Sequence, residues 1–401
     1  MANVASVPRR ILSITRFLLR YVAFWIFERI LPTRANHWAF CTWHGTYAHT
    51  LDNPRGLFEE IKDDPGIVKI ILTKPNQDLN STTIEGNNVV VVNVESLRGA
   101  FWLARSRFLI IGFGISGVCS YSKLISAKHQ IIQLWHGIPL KRIGRLFAGE
   151  PHWLVETPRY TATVCSSDSD REIMAAAFAP IPKKNVWLSG LPRNDLILKE
   201  ESALPADYRR DLARLRGQIS GRRFVLYAPT WRNSEVGIYA FSDDERRALE
   251  AMLAKHNAVL GIRAHANRRI EGEHVEGKQP QIFYVNDYPD VNVILRITDV
   301  LITDYSSIYI DFLLTGRPIL HFAYDVDRYV GERGFLYELS DAMSDQWFTT
   351  FADLLAYLDR ALAGSGVNEP RYSGARKLFH GHTNDASRDV AGRLRALAAT
   401  R

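Results

Sequence analysis

The sequence predicts an α/β fold of two parallel-sheet domains facing a cleft, preceded by a basic amphipathic helix. Three observations predict it. Short apolar runs alternate with helix-like stretches from residue 36 onward. That rhythm pauses in a polar, charged stretch, residues 199–222, and then restarts. Ahead of both lies RRILSITRFLLRYVAFWIFERILP, in which large apolar residues mix with Arg9, Arg10, Arg16, Arg20 and Arg29.

The N-terminal segment, residues 1–35, is expected to be helical. Its longest uncharged run, Tyr21 to Phe27, is far short of the ~20 residues a spanning helix needs. No small-residue cleavage site follows, so a signal peptide is not expected. Five arginines beside Phe24, Trp25 and Phe27 suit the surface of an anionic bilayer. The alternative is a helix packed on its own domain.

The first domain, residues 36–205, offers the strand candidates HWAFCTW, GIVKIILT, NNVVVVN, RFLIIGF, HQIIQLW, YTATVCSS and NVWLSG. NPRGLFEEIKD and SLRGAFWLARS between them read as helices. The second, residues 206–401, offers RFVLYAPTW, NAVLGIRAH, QIFYVND, DVLITD and RPILHFAY, with the helix DDERRALEAMLAKH. Near-continuous apolar strands separated by helices indicate parallel sheets covered on both faces. Two such domains make a cleft between their strand C-termini, where open α/β sheets usually bind ligands.

The 401 residues suffice for two ordinary domains, and 46% hydrophobic content excludes a disordered chain. The net charge of +7 favours anionic partners. Cys41, Cys119 and Cys165 are widely spaced, which argues against a disulfide framework or a structural zinc site. His380 and His382 form H-x-H without acidic or cysteine partners at ligand spacing, so no metal is expected there. GFGISG, residues 112–117, matches G-x-G-x-x-G after a strand. A dinucleotide site would also need an acidic residue about 20 positions on, and no Asp or Glu comes before Glu150. These glycines are expected to serve a turn.

The richest chemistry lies in TDVLITDYSSIYIDFLLTGRPILHF, residues 298–322. Asp304, Ser306 and Ser307 suit a helix cap, and Gly316 and Pro318 suit its end. Amides and hydroxyls at a helix start can hold a phosphate. Asp311 would share a helix face with Ser307, where it can meet ribose hydroxyls. Ordinary capping with a buried, satisfied Asp is the alternative. Two further strand ends supply Thr230, Trp231 and Arg232, and Arg263 and His265. If the three strands are neighbours, these groups converge on one rim suited to a pyrophosphate. In the first domain, QLWHGIPLKRIG places His136 at a strand end, followed by Lys141 and Arg142. A histidine there can act as general base, or simply close a loop. A second Trp-His-Gly, in WHGTYAHT, puts His44 where it can line the same cleft.

DNPRGLFEEI, QLWHGIPLKRIG, SGLPRND, YAPTWR and TDVLITDYSSIYIDFLLTGRPILHFAYDVDRY with RGFLYE resemble the CDP-glycerol glycerophosphotransferase family of teichoic-acid and capsule-polymer enzymes. The resemblance runs from about residue 38 to 395. It implies two Rossmann-like domains in a GT-B-like arrangement, peripheral on the cytoplasmic face of the cell membrane. It implies transfer of glycerol-phosphate, or a related polyol-phosphate, from a CDP-activated donor to a lipid-linked or polymer hydroxyl. His136 and His265 then look like the catalytic histidines, the latter at the donor phosphates. Arg232, Thr230, Arg263, Ser306, Ser307 and Asp311 look like donor-binding residues, with His44, Lys141 and Arg142 on the acceptor side. No cofactor and no nucleic acid partner are implied. The sequence departs from the family at Ala266, where a proline commonly follows the histidine, and at Ala386, where glycine is usual. A GT-B glycosyltransferase using a nucleotide-sugar is the rival reading. An inactive scaffold in a polymer-export complex is a second.

Overall fold

The computed structural model describes residues 6–41, 52–75, 82–147, 149, 152–230, 239–263, 280–327, 334–343, 347–364, 372–382 and 385–400. His44, Trp231, Arg232 and His265 lie outside the described residues.

All twelve expected strands form, in two fully parallel sheets. The first holds β1 (Arg34–Cys41), β2 (Val68–Thr73), β3 (Val89–Asn93), β4 (Ser106–Ile111), β5 (Gln130–Gln133), β6 (Tyr160–Cys165) and β7 (Val186–Leu188). Their order is β3-β2-β1-β4-β5-β6-β7. The second holds β8 (Arg223–Tyr227), β9 (Ala258–Ile262), β10 (Ile282–Tyr284), β11 (Val300–Thr303) and β12 (Ile319–His321), in the order β10-β9-β8-β11-β12. The three strands expected to be neighbours, β9, β8 and β11, are adjacent.

Alternation along β1 shows how the apolar runs work. Trp38 and Phe40 face one side and Ala39 and Cys41 the other, and all four are buried. The Ala39 side packs on Phe24, Leu103 and Leu109. The Trp38 side joins Phe58 and Ile110 in a cluster that continues into the second domain through Leu226, Leu301 and Tyr305. The outer face of the second sheet is closed by Leu253 and Leu358 over Val225 and Ile302. All three cysteines are free and buried.

The N-terminal helix α1 (Ser6–Ile30) packs on α3 (Leu97–Arg105). Phe24 is fully buried and stacks at a tilt on Tyr121, 4.7 Å between centroids. Glu28 accepts from His129 Nε2 at 2.9 Å and from the Ser126 amide at 2.9 Å. The helix is therefore anchored on its own domain through one face. Its other face leaves Leu18, Leu19, Val22, Trp25, Ile26 and Ile30 exposed. Among the described residues no helix is long and apolar enough to cross a membrane.

The seam between the domains is built by α2 (Asn53–Ile61), α5 (Pro192–Leu198), α6 (Ala206–Ile219) and α8 (Val291–Ile297). Gly56 lets α2 and α5 approach closely, because a Cβ there would lie 2.1 Å from the Pro192 carbonyl oxygen. The C-terminal helix, Ala386–Ala399, returns to pack on α2 and α5. Its first two amides donate to the Asp195 carboxylate at 3.1 and 2.8 Å.

Candidate active site between the two domains

His136 sits in the turn just beyond β5. Trp135 (φ 52°) and Gly137 (φ 146°) both take positive φ around it. For Trp135 that conformation is strained, at a cost of about 1–3 kcal/mol, and persists only where the surroundings enforce it. The imidazole stacks on the Trp135 ring, 4.1 Å between centroids. Its Nδ1 lies 3.0 Å from the Gly112 carbonyl oxygen. A carbonyl can only accept, so Nδ1 carries the proton and the lone pair is on Nε2. Desolvation lowers the His136 pKa from its ordinary value, despite the Gly112 bond and the Asp52 charge that raise it. The ring is thus neutral at neutral pH and suited to take a proton.

Arg193, from α5, is the buried cation beneath this turn. Its Nη1 donates to the His136 carbonyl at 2.7 Å and to Asp52 Oδ1 at 3.1 Å. Its Nη2 donates to Asp311 Oδ2, in the second domain. Burial would lower the Arg193 pKa, but Asp311 and Asp52 raise it and keep the guanidinium charged. Burial pushes the Asp311 carboxyl up to about 6, against the pull of Arg193.

The second domain brings Ser306 and Ser307 to the facing rim, both half-buried. A Cβ at Gly137 would lie 2.9 Å from Arg193 Nη2 and 3.9 Å from Ser307 Oγ, so the two domains touch at this point. The expected helix start is a short one. The helix α9 (Ile308–Phe312) spans five residues before a 3-10 turn closes at Gly316, φ 66°. Ser307 is its N-cap without a side-chain capping bond. Asp304 Oδ1 accepts from the Thr230 amide at 2.7 Å, tying the ends of β8 and β11 together. Thr230 is buried at that joint.

The other expected residues that are described have partners within the chain. Asp311 Oδ2 accepts from Arg193 across the seam, while its Oδ1 is buried without a hydrogen-bond partner. Arg263 Nη1 donates to the carbonyls of Val285 and Tyr288 at 3.1 and 3.0 Å, which ties it to the loop after β10. Lys141 forms an antiparallel bridge with Phe335, and the Leu336 amide donates to the Leu140 carbonyl at 3.0 Å. Arg142 packs on Gly334. The PLKR and RGFLYE segments thus meet as an interdomain bridge.

The GFGISG turn is sealed from within. Glu156 accepts from the amides of Ile115 and Ser116, the latter at 2.8 Å, so a carboxylate of the chain itself fills the position a phosphate would take. His380 is buried between the Ser166 hydroxyl, 3.3 Å from Nδ1, and the Ile310 carbonyl, 2.6 Å from Nε2. Among the described residues no group of three or more His, Cys, Asp or Glu side chains could hold a metal ion.

Sequence reasoning missed Asn53, Asp52, Arg193 and Glu156. For the first three the available signal was the polar motifs DNPRG and SGLPRND themselves, whereas Glu156 lies in neither.

Comparison with known proteins gives a consistent picture. The chain is 29% identical over 249 residues to the teichoic acid ribitol-phosphate polymerase TarL of Staphylococcus aureus, covering 60% of this chain and 43% of that one. It is 25% identical over 300 residues to a teichoic acid glycerol-phosphate transferase of Staphylococcus aureus, covering 71% and 74%. This chain spans less than half the length of the ribitol-phosphate polymerases it matches. The wall teichoic acid polymerase TagF superposes with a TM-score of 0.73 at 20% identity, over 99% of both chains. A UDP-GlcNAc 2-epimerase from Neisseria meningitidis superposes less well, with a TM-score of 0.56 at 11% identity, over 90% and 99%. Those two likenesses show the fold, two Rossmann-like domains in a GT-B-like arrangement. The profile of one family covers residues 23–393, and the chain belongs to that family, the CDP-glycerol:poly(glycerophosphate) glycerophosphotransferases.

Proposed function

We propose that the protein transfers glycerol-phosphate, or a related polyol-phosphate, from a CDP-activated donor to a hydroxyl of a growing or lipid-linked envelope polymer. The observation that carries this reading is His136, neutral, with its proton on Nδ1, in a turn whose Gly137 lies against Arg193 and near the Ser307 hydroxyl of the opposite domain. His136 Nε2 takes the proton of the acceptor hydroxyl. The acceptor oxygen forms a bond to the donor's β-phosphorus, the bond from that phosphorus to the bridging oxygen breaks, and CMP leaves with the electron pair. The Ser306 and Ser307 hydroxyls, with His265 and Arg232, stabilise the charge on the phosphates. In this reading Lys141 and Arg142 serve the acceptor, and the sequence assigns His44 to the same side. The test is nucleotide release from CDP-glycerol, CDP-ribitol and UDP-sugars offered separately. CMP release from a CDP-polyol is the expected result. UDP release from a UDP-sugar alone would establish the glycosyltransferase reading instead.

The exposed stripe of α1 supports attachment to the cytoplasmic surface of an anionic membrane. Arg29 lies over the Trp25 ring at 3.8 Å, placing a cation beside an interfacial aromatic. Because Phe24 and Glu28 anchor the helix, deleting it would open the first domain. Replacing Leu19 and Trp25 with Glu leaves those anchors intact and should abolish flotation with anionic liposomes. Unchanged flotation would contradict the attachment.

A further inference from the structure

Three successive main-chain carbonyls in the His136 turn are each held by a side chain from another segment. Asn53 Nδ2 donates to Leu134 at 3.0 Å and to Trp135 at 3.1 Å. Arg193 Nη1 donates to His136. The two holders are themselves joined, since the Arg193 amide donates to Asn53 Oδ1 at 3.0 Å. From the second domain, Asn292 Nδ2 donates to the Arg193 carbonyl at 3.2 Å. Asn53 is fully buried and Arg193 nearly so.

We infer that Asn53 and Arg193 are positioning residues that hold the His136 turn in its reactive geometry and fix it relative to the donor domain. The inference rests on the reading of His136 as the base. The turn does not hold itself, because Trp135 is strained at positive φ and an unheld carbonyl would be free to rotate. Arginine suits the role where lysine does not. A planar fork can reach the His136 carbonyl, Asp52 and Asp311 together, whereas an ammonium on a flexible stem cannot span all three. Gly137 completes the arrangement, because a Cβ at that position would intrude on the guanidinium. The same guanidinium therefore sets the height of His136 and ties it to Asp311, one turn along from Ser307.

A merely structural arginine would lower stability and leave folded molecules fully active. A positioning arginine lowers turnover in molecules that are folded and still bind donor. The experiment uses the full chain with Arg193→Lys and, as a variant that leaves no uncompensated buried charge, Asn53→Ser. Melting temperature, kcat and donor KM for CMP release, and amide hydrogen exchange of residues 130–142 are measured on each. The expected result is a fall in kcat on the order of 10²-fold with donor KM within about threefold, as for a reacting group displaced by about 1 Å. Exchange in the His136 turn should be faster than in the wild type. A kcat within about threefold of wild type in the folded variants, a rise confined to KM, or unchanged exchange would overturn the inference. If the wild type releases no CMP from any donor, the proposed reaction fails, and the exchange measurement still decides whether the two residues hold the turn.

Discussion

The turns after β4 and β5 are neighbours at the C-terminal end of two adjacent strands, both contain glycine, and the chain treats them in opposite ways. After β4, the amides of Ile115 and Ser116 point at an anion position, and Glu156 occupies it. After β5, the carbonyls of Leu134, Trp135 and His136 are gripped by Asn53 and Arg193, and the imidazole stacks on the Trp135 ring. The two turns also touch, since the Gly112 carbonyl of the first sets the tautomer of His136 in the second. A motif's meaning thus depends on which of its polar groups the chain has already satisfied. G-x-G-x-x-G has its ligand built in, whereas Trp-His-Gly is braced and left to act on something else.

The comparison breaks if the two turns respond alike to substitution. His136→Ala should reduce turnover by about 10²–10⁴-fold, the usual contribution of a general base, with little change in melting temperature or donor KM. Gly137→Ala should come next. The added Cβ meets Arg193 Nη2 at 2.9 Å and φ 146° is hostile to an L side chain. Turnover should fall on the order of tenfold or more as the turn shifts. Glu156→Gln acts on the sealed turn. Its amide group cannot satisfy both backbone donors, so stability should fall by about 1–3 kcal/mol in denaturant titrations, with turnover per folded molecule unchanged. A large loss of turnover in that variant would show that the GFGISG turn has a chemical role after all.

The smallest effect is on pH dependence and it sharpens the assignment. The base must be neutral, and the His136 pKa is lowered by burial. Activity is therefore present above the lowered pKa and lost as pH falls through it. Protonation of Asp311, whose carboxyl titrates at about 6, weakens its tie to Arg193 in the same direction. A kcat profile should accordingly be flat, within about twofold, from pH 7 to 8 and fall only on the acid side. A profile still rising steeply above pH 7 would contradict the lowered pKa.

The sheets were legible because parallel strands buried on both faces read as unbroken apolar runs, as in RFLIIGF and HQIIQLW. His136 was legible because it follows such a run directly. Arg193 was not, since nothing in SGLPRND says that its guanidinium lies between Asp52 and Asp311, which are 141 and 118 positions away. The tie from Asp311 to Arg193 was hidden for a related reason, since helical spacing from Ser307 says nothing of a cation on another domain. Glu156 seals a turn 40 residues upstream, a relation that no local pattern carries. The return of the C-terminal helix onto α2 and α5 is likewise set by the Asp195 carboxylate at its first amides, a tertiary event.

The central claim is that the turn after β5 holds a neutral imidazole with its proton on Nδ1 and its lone pair on Nε2. Nitrogen-15 NMR of histidine-labelled protein tests it without any substrate, the His136 signals being assigned by their loss in His136→Ala. The account predicts a protonated Nδ1, an unprotonated Nε2 at neutral pH, and a titration midpoint below the ordinary histidine value of about 6.5. A midpoint at or above that value, or a proton resident on Nε2, would contradict it.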